Sequence, residues 1–318
     1  MEIKKYRNGM IIHPGELSRK WIDRLADAGI NTLGIHPEGG KDAPRTLERL
    51  LSLLETPEYR ALIDYARSRG LEIEYECHAA GYLMDRALFA DHPEYFRMNE
   101  SGERVPDWNF CVSNPDALSL FAKRSASLAL KLYGSGKNFY FWMDDGRSIH
   151  CQCPKCRRLS PSDQQYIALS AALDEIKRYI PDARMAYLAY IDTIAPPTLA
   201  HSNRGLFLEY APFEKYTAKG EDSAVRIERE RGMLAPLLDY FSREDAKVLE
   251  YWYDNSLFSR WKKPPARFEL KEEPMIEDIR DYRAIGFDNI TTFACFLGDD
   301  YEALYGEPDI TPYAKVFE

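Results

Sequence analysis

Short apolar runs and helical stripes alternate along most of the chain. Gly9 to His13, closed by Pro14-Gly15, predicts a first strand, and Leu17, Trp21, Ile22 and Leu25 then recur at helical spacing before Gly29, which is placed to cap the helix. Asn31 to His36 predicts a second strand. Leu47, Leu50, Leu51 and Leu54 form one helical stripe, and Leu62, Tyr65 and Ala66 a second that stops at Gly70. In the third predicted strand, Leu71 to His78, alternation puts Glu72, Glu74, Glu76 and His78 on one face. Ala79 to Ser113 then reads as a long irregular connection, and loops of that length in a compact domain usually line a site. Asn114 as N-cap with Pro115 at the first helical position opens a helix predicted to reach about Tyr133.

The fourth strand is Phe139-Tyr140-Phe141-Trp142, and it runs into Met143-Asp144-Asp145-Gly146. Ser162 to Gln165 has the pattern of a capping box, followed by the stripe Tyr166, Leu169, Leu173, Ile176 and Ile180. Ala183 to Tyr190 predicts the fifth strand, Leu206 to Tyr210 the sixth, Lys247 to Asp254 the seventh and Asn289 to Gly298 the eighth. Between the last four lie a Pro-rich link from Ile191 to Gly205 with no clear helix, a charged helical stretch from Glu221 to about Arg243, and the stripe Ile276, Ile279, Tyr282 and Ile285 capped by Gly286. Eight strands, most followed by a helix, predict an α/β protein with a (β/α)8 TIM barrel, one domain over residues 1–318. An open doubly wound sheet would carry a Gly-rich phosphate turn after its first strand, and His13-Pro14-Gly15-Glu16 is not one.

Composition narrows the partners. A net charge of -9 and a pI near 5.4 argue against nucleic acid and against an anionic membrane surface. No apolar run approaches the ~18 residues of a membrane span, and the polar opening Met1 to Asn8 lacks the apolar region of a secretory signal, so the chain reads as cytoplasmic. The six cysteines do not form a disulfide framework: Cys77, Cys111 and Cys295 are scattered, while Cys151, Cys153 and Cys156 crowd together. Those three could hold a structural zinc with His150 or Cys77 as fourth ligand, or simply pack a turn as reduced thiols.

Barrel enzymes place their reacting groups where strands end. Here those positions are acidic and aromatic, with few basic residues to hold a phosphate, which suits glycosidic cleavage: one carboxylic acid protonates the leaving oxygen and a second group supports the oxocarbenium-like carbon. Asp144 and Asp145 are the leading pair, and their mutual repulsion predicts a raised pKa for at least one. An Asp-Asp-Gly turn after a strand is the plainer alternative. His13, His36 and His78 end three neighbouring strands, where they could hold a metal, hydrogen-bond sugar hydroxyls or satisfy loop carbonyls. Trp108, Tyr210, Tyr251, Trp252 and Tyr253 could offer stacking faces, but Glu250 and Trp252 lie opposite Tyr251 and Tyr253, so only one set can face the mouth.

The order His92-Pro93-Glu94-Tyr95-Phe96, Cys111-Val112-Ser113-Asn114-Pro115, Trp142 to Asp145, Cys151-Gln152-Cys153-Pro154-Lys155-Cys156, Ser162-Asp163-Gln164, Pro181 to Tyr190 and Gly298-Asp299-Asp300-Tyr301 resembles the glycoside hydrolase family 163 group. That group was formerly a domain of unknown function. The resemblance implies a barrel glycosidase related in layout to hexosaminidases and O-GlcNAcases, acting on a β-linked N-acetylhexosamine-containing glycan, with no cofactor required for catalysis. The adjacent aspartates resemble the O-GlcNAcase pair. By that resemblance Asp145 is the general acid and Asp144 orients the substrate's acetamide. Position at the strand ends and in the long connection makes His13, His36, His78, Trp108, Asn109, Tyr190, Glu209, Trp252 and Asp299 the candidate substrate-binding residues. Two alternatives stay open: a retaining pair of Asp145 with Glu250 as nucleophile, which needs carboxyl groups about 5–5.5 Å apart, and a carbohydrate-binding barrel without turnover.

Overall fold

A computed structural model describes residues 6–213, 215 and 223–317. Residues 1–5 of the polar opening and 221–222 of the predicted charged helix lie outside the described residues. Eight parallel strands close on themselves in chain order: β1 (Arg7–Ile12), β2 (Thr32–Ile35), β3 (Glu72–His78), β4 (Asn138–Trp142), β5 (Arg184–Ala189), β6 (Leu206–Tyr210), β7 (Lys247–Glu250) and β8 (Asn289–Phe293). The fold is therefore the predicted (β/α)8 barrel, with β1 pairing both β2 and β8. Among the described residues no helix is long and apolar enough to cross a membrane.

Alternation along each strand sorts the core into two clusters. Outward side chains such as Ile12, Leu33, Tyr75, Phe141 and Val248 pack under the helix layer, joined by Trp21, Leu25, Leu47 and Leu50. Inward ones, Ile11, Tyr140, Trp142, Ala186, Leu188, Phe207, Leu249 and Phe293, fill the barrel. Room inside is tight at Gly34, where a Cβ would sit 2.5 Å from Cγ1 of Ile11 and 3.2 Å from Oε1 of Glu76.

The inward face of β3 brings carboxylates into this interior, and they are held by a cation from the opposite wall. Lys247 Nζ lies 2.9 Å from Glu74, 2.8 Å from Glu76 and 3.1 Å from Glu209, and all four side chains are at most 1% exposed. Tyr140 donates to Glu74 Oε1 at 2.6 Å, and Trp142 Nε1 donates to Glu209 Oε2 at 2.7 Å. Burial pushes Glu76 well above the usual carboxylate range; Lys247 opposes that shift, and the neighbouring Glu209 and Glu74 add to it. Lys247 is thus shared by three buried carboxyls, and Arg7 adds a second cation beside Glu74 while also pairing with Glu72.

Several predicted boundaries shift. β7 stops at Glu250 and β8 at Phe293, short of the predicted Asp254 and Gly298; their ladder spans only Lys247–Glu250 against Asn289–Thr292, and beyond it the chains diverge into the mouth loops. The capping box sits at Ser160 and Asp163, two residues before the predicted one, with Pro161 opening the helix Pro161–Ile176. Asp163 also accepts from the backbone of Thr198 and Leu199, tying down the Pro-rich link, which carries the short 3-10 turn Ile191–Thr193. Asn114 caps the helix Pro115–Lys131 as predicted.

Candidate active site

A cleft of about 450 Å³ opens at the C-terminal mouth of the barrel, walled by side chains from the ends of β1 to β5, β7 and β8 and from the loops that follow. Asp145 stands in its wall, and Oδ1 accepts from the Tyr190 hydroxyl at 3.2 Å. Gly39 approaches closely on the other side of that carboxylate. A Cβ there would lie 3.6 Å from Asp145 Oδ2 and 3.0 Å from His78 Cδ2.

Three histidines repeat one device around the rim. His13 Nδ1 bonds the carbonyl of His36 at 2.9 Å, His36 Nδ1 that of Glu76 at 2.7 Å, and His78 Nδ1 that of Met143 at 2.7 Å. A carbonyl only accepts, so each Nδ1 carries a proton, and Nε2 is left as the acceptor of the neutral ring. Burial, and next the neighbouring His13 and His78, hold His36 well below the usual imidazole range, so its ring is neutral. The described residues place no three-ligand metal group among these histidines.

Aromatic rings complete the wall in a continuous series. Tyr190 meets Phe213 at 5.6 Å between centroids, Phe213 meets Tyr251 at 5.3 Å, Tyr251 meets Phe293 at 5.2 Å, and Phe293 meets His36 at 5.1 Å. Trp142 closes the set, 5.5 Å from His36 and 5.0 Å from His78. Two further lining residues, Trp261 and Phe296, hold left-handed backbone at φ 54° and 63°, a conformation bulky residues adopt only where surrounding structure imposes it.

Asp144 turns away from this cleft. It lines a second cavity of about 50 Å³ that shares His78, Leu188 and Tyr190 with the first. Arg86 pairs with Oδ2 of Asp144, and Asn109 Oδ1 accepts from its backbone N–H at 2.9 Å. The Asp144 carboxyl is raised, with burial the largest cause and Arg86 opposing it. The predicted repulsion between the adjacent aspartates is therefore not what raises it.

The structure thus gathers His13, His36, His78, Asp145 and Tyr190 at the cleft, with Asp144 and Asn109 at the smaller cavity. The remaining predicted residues lie elsewhere. Glu250 and Trp252 face the helix layer: Glu250 is fully buried against Lys215 and the Tyr282 hydroxyl, and Trp252 Nε1 donates to Asp278. The pairing of Glu250 with Asp145 across the mouth is corrected accordingly, because β7 turns Lys247, Leu249 and Tyr251 inward and Glu250 outward. Glu209 sits beneath the cleft in the charged layer, Trp108 stands beside Gly146, and Asp299 begins the surface helix Asp299–Tyr305.

Tyr251 and Asp254 are the residues sequence reasoning did not carry to the site. Asp254 lines the cleft, and the three hydrogen bonds it accepts from Ser256 and Leu257 all reach Oδ1. Burial raises its pKa against those bonds. Burial, then Tyr190, Asp145 and Asp254 in turn push the Tyr251 hydroxyl far up, so it stays protonated. Alternation in the seventh strand had left Tyr251 and Trp252 as rivals, and the shortness of β7 hid the Asp254 turn.

Cys111, Cys151, Cys153 and Cys156 meet below the smaller cavity, all buried, with their four sulfurs within 4.8 Å of one another. The fourth member is Cys111 rather than the predicted His150 or Cys77. It is brought in by the connection between β3 and the helix Pro115–Lys131, which folds back over the segment after β4.

Residues 49–219, more than half of the chain, match a family described as a domain of unknown function, DUF4838. The chain belongs to the DUF4838 family. No curated protein matches it in sequence. Among solved structures this DUF4838 barrel is similar to a cold-adapted β-galactosidase from Rahnella sp. R3, with a TM-score of 0.56 and 11% identity over 99% of this chain and 55% of that one. It is also similar to Gan42B, a GH42 β-galactosidase, with a TM-score of 0.59 and 13% identity over 99% of this chain and 56% of that one. Endo-glycoceramidase II from Rhodococcus sp. gives a TM-score of 0.54 and 10% identity over 91% of this chain and 73% of that one. The chain thus spans little more than half the length of the two β-galactosidases. At these identities the likeness is one of fold.

Proposed function

We propose that the chain is a glycoside hydrolase that cleaves a β-linked, N-acetylhexosamine-containing glycan, with Asp145 as the general acid. The observation that carries this reading is Asp145 itself: a carboxyl hydrogen-bonded by Tyr190 in the wall of a sugar-sized cleft, at the strand-four end of a barrel, facing a ring of aromatic faces and histidine acceptors. The solved structures similar in fold are named as glycosidases, and the motif order resembles the glycoside hydrolase family 163 group; both support the same class. In this reading the sugar ring stacks in the cleft while its 2-acetamido group reaches toward the small cavity, where Asp144 and Asn109 lie. Arg86 keeps Asp144 in place to orient that group. If a second carboxylate rather than the acetamide supports the anomeric carbon, Asp254 is the candidate, since it lines the same cleft and is buried there, whereas the other lining carboxylates, Glu38 and Asp42, are exposed.

The test uses aryl β-N-acetylglucosaminide, β-glucoside, β-galactoside and α-glucuronide with wild type, Asp145→Asn and Glu250→Gln. Asp145→Asn is expected to lower turnover by about 10²–10⁴, least for the best aryl leaving group, which needs least protonation. Glu250→Gln is expected to keep the wild-type turnover per folded molecule while lowering thermal stability. Full activity in Asp145→Asn refutes Asp145 as the acid. Glycan binding without hydrolysis of any of these substrates favours a binding barrel.

A further inference from the structure

The four-cysteine cluster has a geometry that reduced thiols packing a turn do not need. Cys111 Sγ lies 3.7 Å from Cys153 Sγ and 3.8 Å from Cys156 Sγ. A tetrahedral zinc with sulfur ligands at about 2.3 Å has sulfur–sulfur edges of about 3.8 Å. A disulfide would bring a pair to about 2.05 Å, and all six cysteines are free.

The surroundings are built for sulfur that carries negative charge. Backbone N–H groups of Met98 and Cys156 point at Cys151 Sγ and Cys153 Sγ at 3.3 and 3.4 Å. The Arg104 guanidinium approaches Cys151 Sγ at 3.8 Å, and Ser113 Oγ lies 3.0 Å from Cys156 Sγ. Neutral thiols would leave the two backbone N–H groups and Arg104 poorly used, whereas four thiolates around a divalent ion use each of them, and with Cys156 deprotonated the Ser113 hydroxyl is free to donate to its sulfur. The set is closed, with four protein ligands and no open position, which is the pattern of a structural rather than a catalytic ion.

We propose that Cys111, Cys151, Cys153 and Cys156 bind one zinc ion that clips the connection after β3 to the segment after β4. Cys111 is two residues from Asn109, whose Oδ1 holds the backbone N–H of Asp144, so the clip fixes the loop that presents Asp144 and Asp145. The sequence spacing hides the site because its fourth ligand is forty residues upstream of the cluster and lies next to it only once the barrel has closed.

The experiment is elemental analysis of the full chain as purified, without added metal, together with X-ray absorption at the zinc edge. About one zinc per chain with four sulfur neighbours at about 2.3 Å is expected. Titration with a mercurial should release that zinc in step with four thiols. His150→Ala should retain the zinc, and Cys111→Ser should lose it. Because Cys111→Ser can also fail to fold, the absorption spectrum of the wild type stands as the independent readout. A metal-free chain with four reactive thiols, iron in place of zinc, a nitrogen ligand in the shell, or disulfides among these cysteines each overturns the assignment. None of these readouts depends on hydrolytic activity, so the site can fail without the hydrolase reading, and the reverse.

Discussion

Replacing Lys247 with methionine tests whether the charged layer under the cleft is balanced as the geometry indicates. Lys247 Nζ faces three buried carboxyls at 2.8–3.1 Å. Each ionised pair at such a distance has a gross attraction of about 5–6 kcal/mol at an effective dielectric near 20. Most of that is offset by stripping water from the ammonium and the carboxylates. What the variant exposes is the remainder: Glu74 is left with Tyr140 and with Arg7, which also pairs with Glu72, and Glu209 with the Trp142 N–H, and breaking a buried ionic network in this way costs about 3–5 kcal/mol. With an unfolding entropy of about 2.1 cal/mol/K per residue over this chain, the midpoint should fall by about 4–8 °C. The pH dependence is more specific. Without Lys247 the carboxyl of Glu209, already raised by burial, moves further above the 4.5 of the unfolded chain, and Glu74 loses the largest influence holding it below that value, so the folded state gains protons relative to the unfolded one above that pH. The penalty is then fully present at neutral pH and disappears as the pH falls through about 4.5. Differential scanning calorimetry of both proteins from pH 7.5 to 4 measures it, and Lys247→Met with Glu209→Gln should recover part of the loss. A midpoint within 1 °C of wild type at neutral pH, or a gap that does not close on acidification, refutes the balance described.

His36 should make the chain acid-sensitive. Its native pKa is held below the ordinary 6.5, so the unfolded chain binds more protons between the two values, and stability present above pH 6.5 is lost as the pH falls below it. Urea midpoints from pH 7.5 to 5 should show a flatter profile in His36→Gln; an unchanged slope assigns the acid loss elsewhere. Gly39→Leu should block the cleft: its backbone is extended at φ -80°, which leucine adopts, but the Cβ would sit 3.0 Å from His78 Cδ2, so that ring must give way, and the side chain would enter beside Asp145. Turnover per folded molecule is expected to fall on the order of a hundredfold, with some loss of thermal stability from the displaced His78 ring, and a fully active Gly39→Leu would move the substrate away from that wall.

Much of the barrel was legible because strands and helices write different periods. The apolar runs from Gly9 to Asn289 mark where each of the eight strands lies, and Asn114-Pro115 and Gly286 mark helix ends by chemistry that is local to the backbone. Which strand-end side chains face inward was partly legible too: the parity of β3 puts Glu74, Glu76 and His78 on one face, and the structure keeps it. Parity alone does not say whether that face looks into the barrel or out to the helices. For β7 this ambiguity favoured Glu250, and tertiary closure turned it outward against Lys215 while Tyr251 took the cleft.

What the sequence by itself determined, then, is periodicity, caps and the presence of carboxylates at strand ends, all properties of a few neighbouring residues. Only the tertiary structure decided which of those carboxylates share a cavity. Asp144 and Asp145 are neighbours in the chain, yet Arg86 draws one into a side cavity and Tyr190 holds the other in the cleft. Cys111 and Lys247 acquire their partners across as many as 173 positions of sequence. Pairings at that separation are set by barrel closure and by the cost of burying a charge or polar group without a partner, and neither leaves a short-range signal.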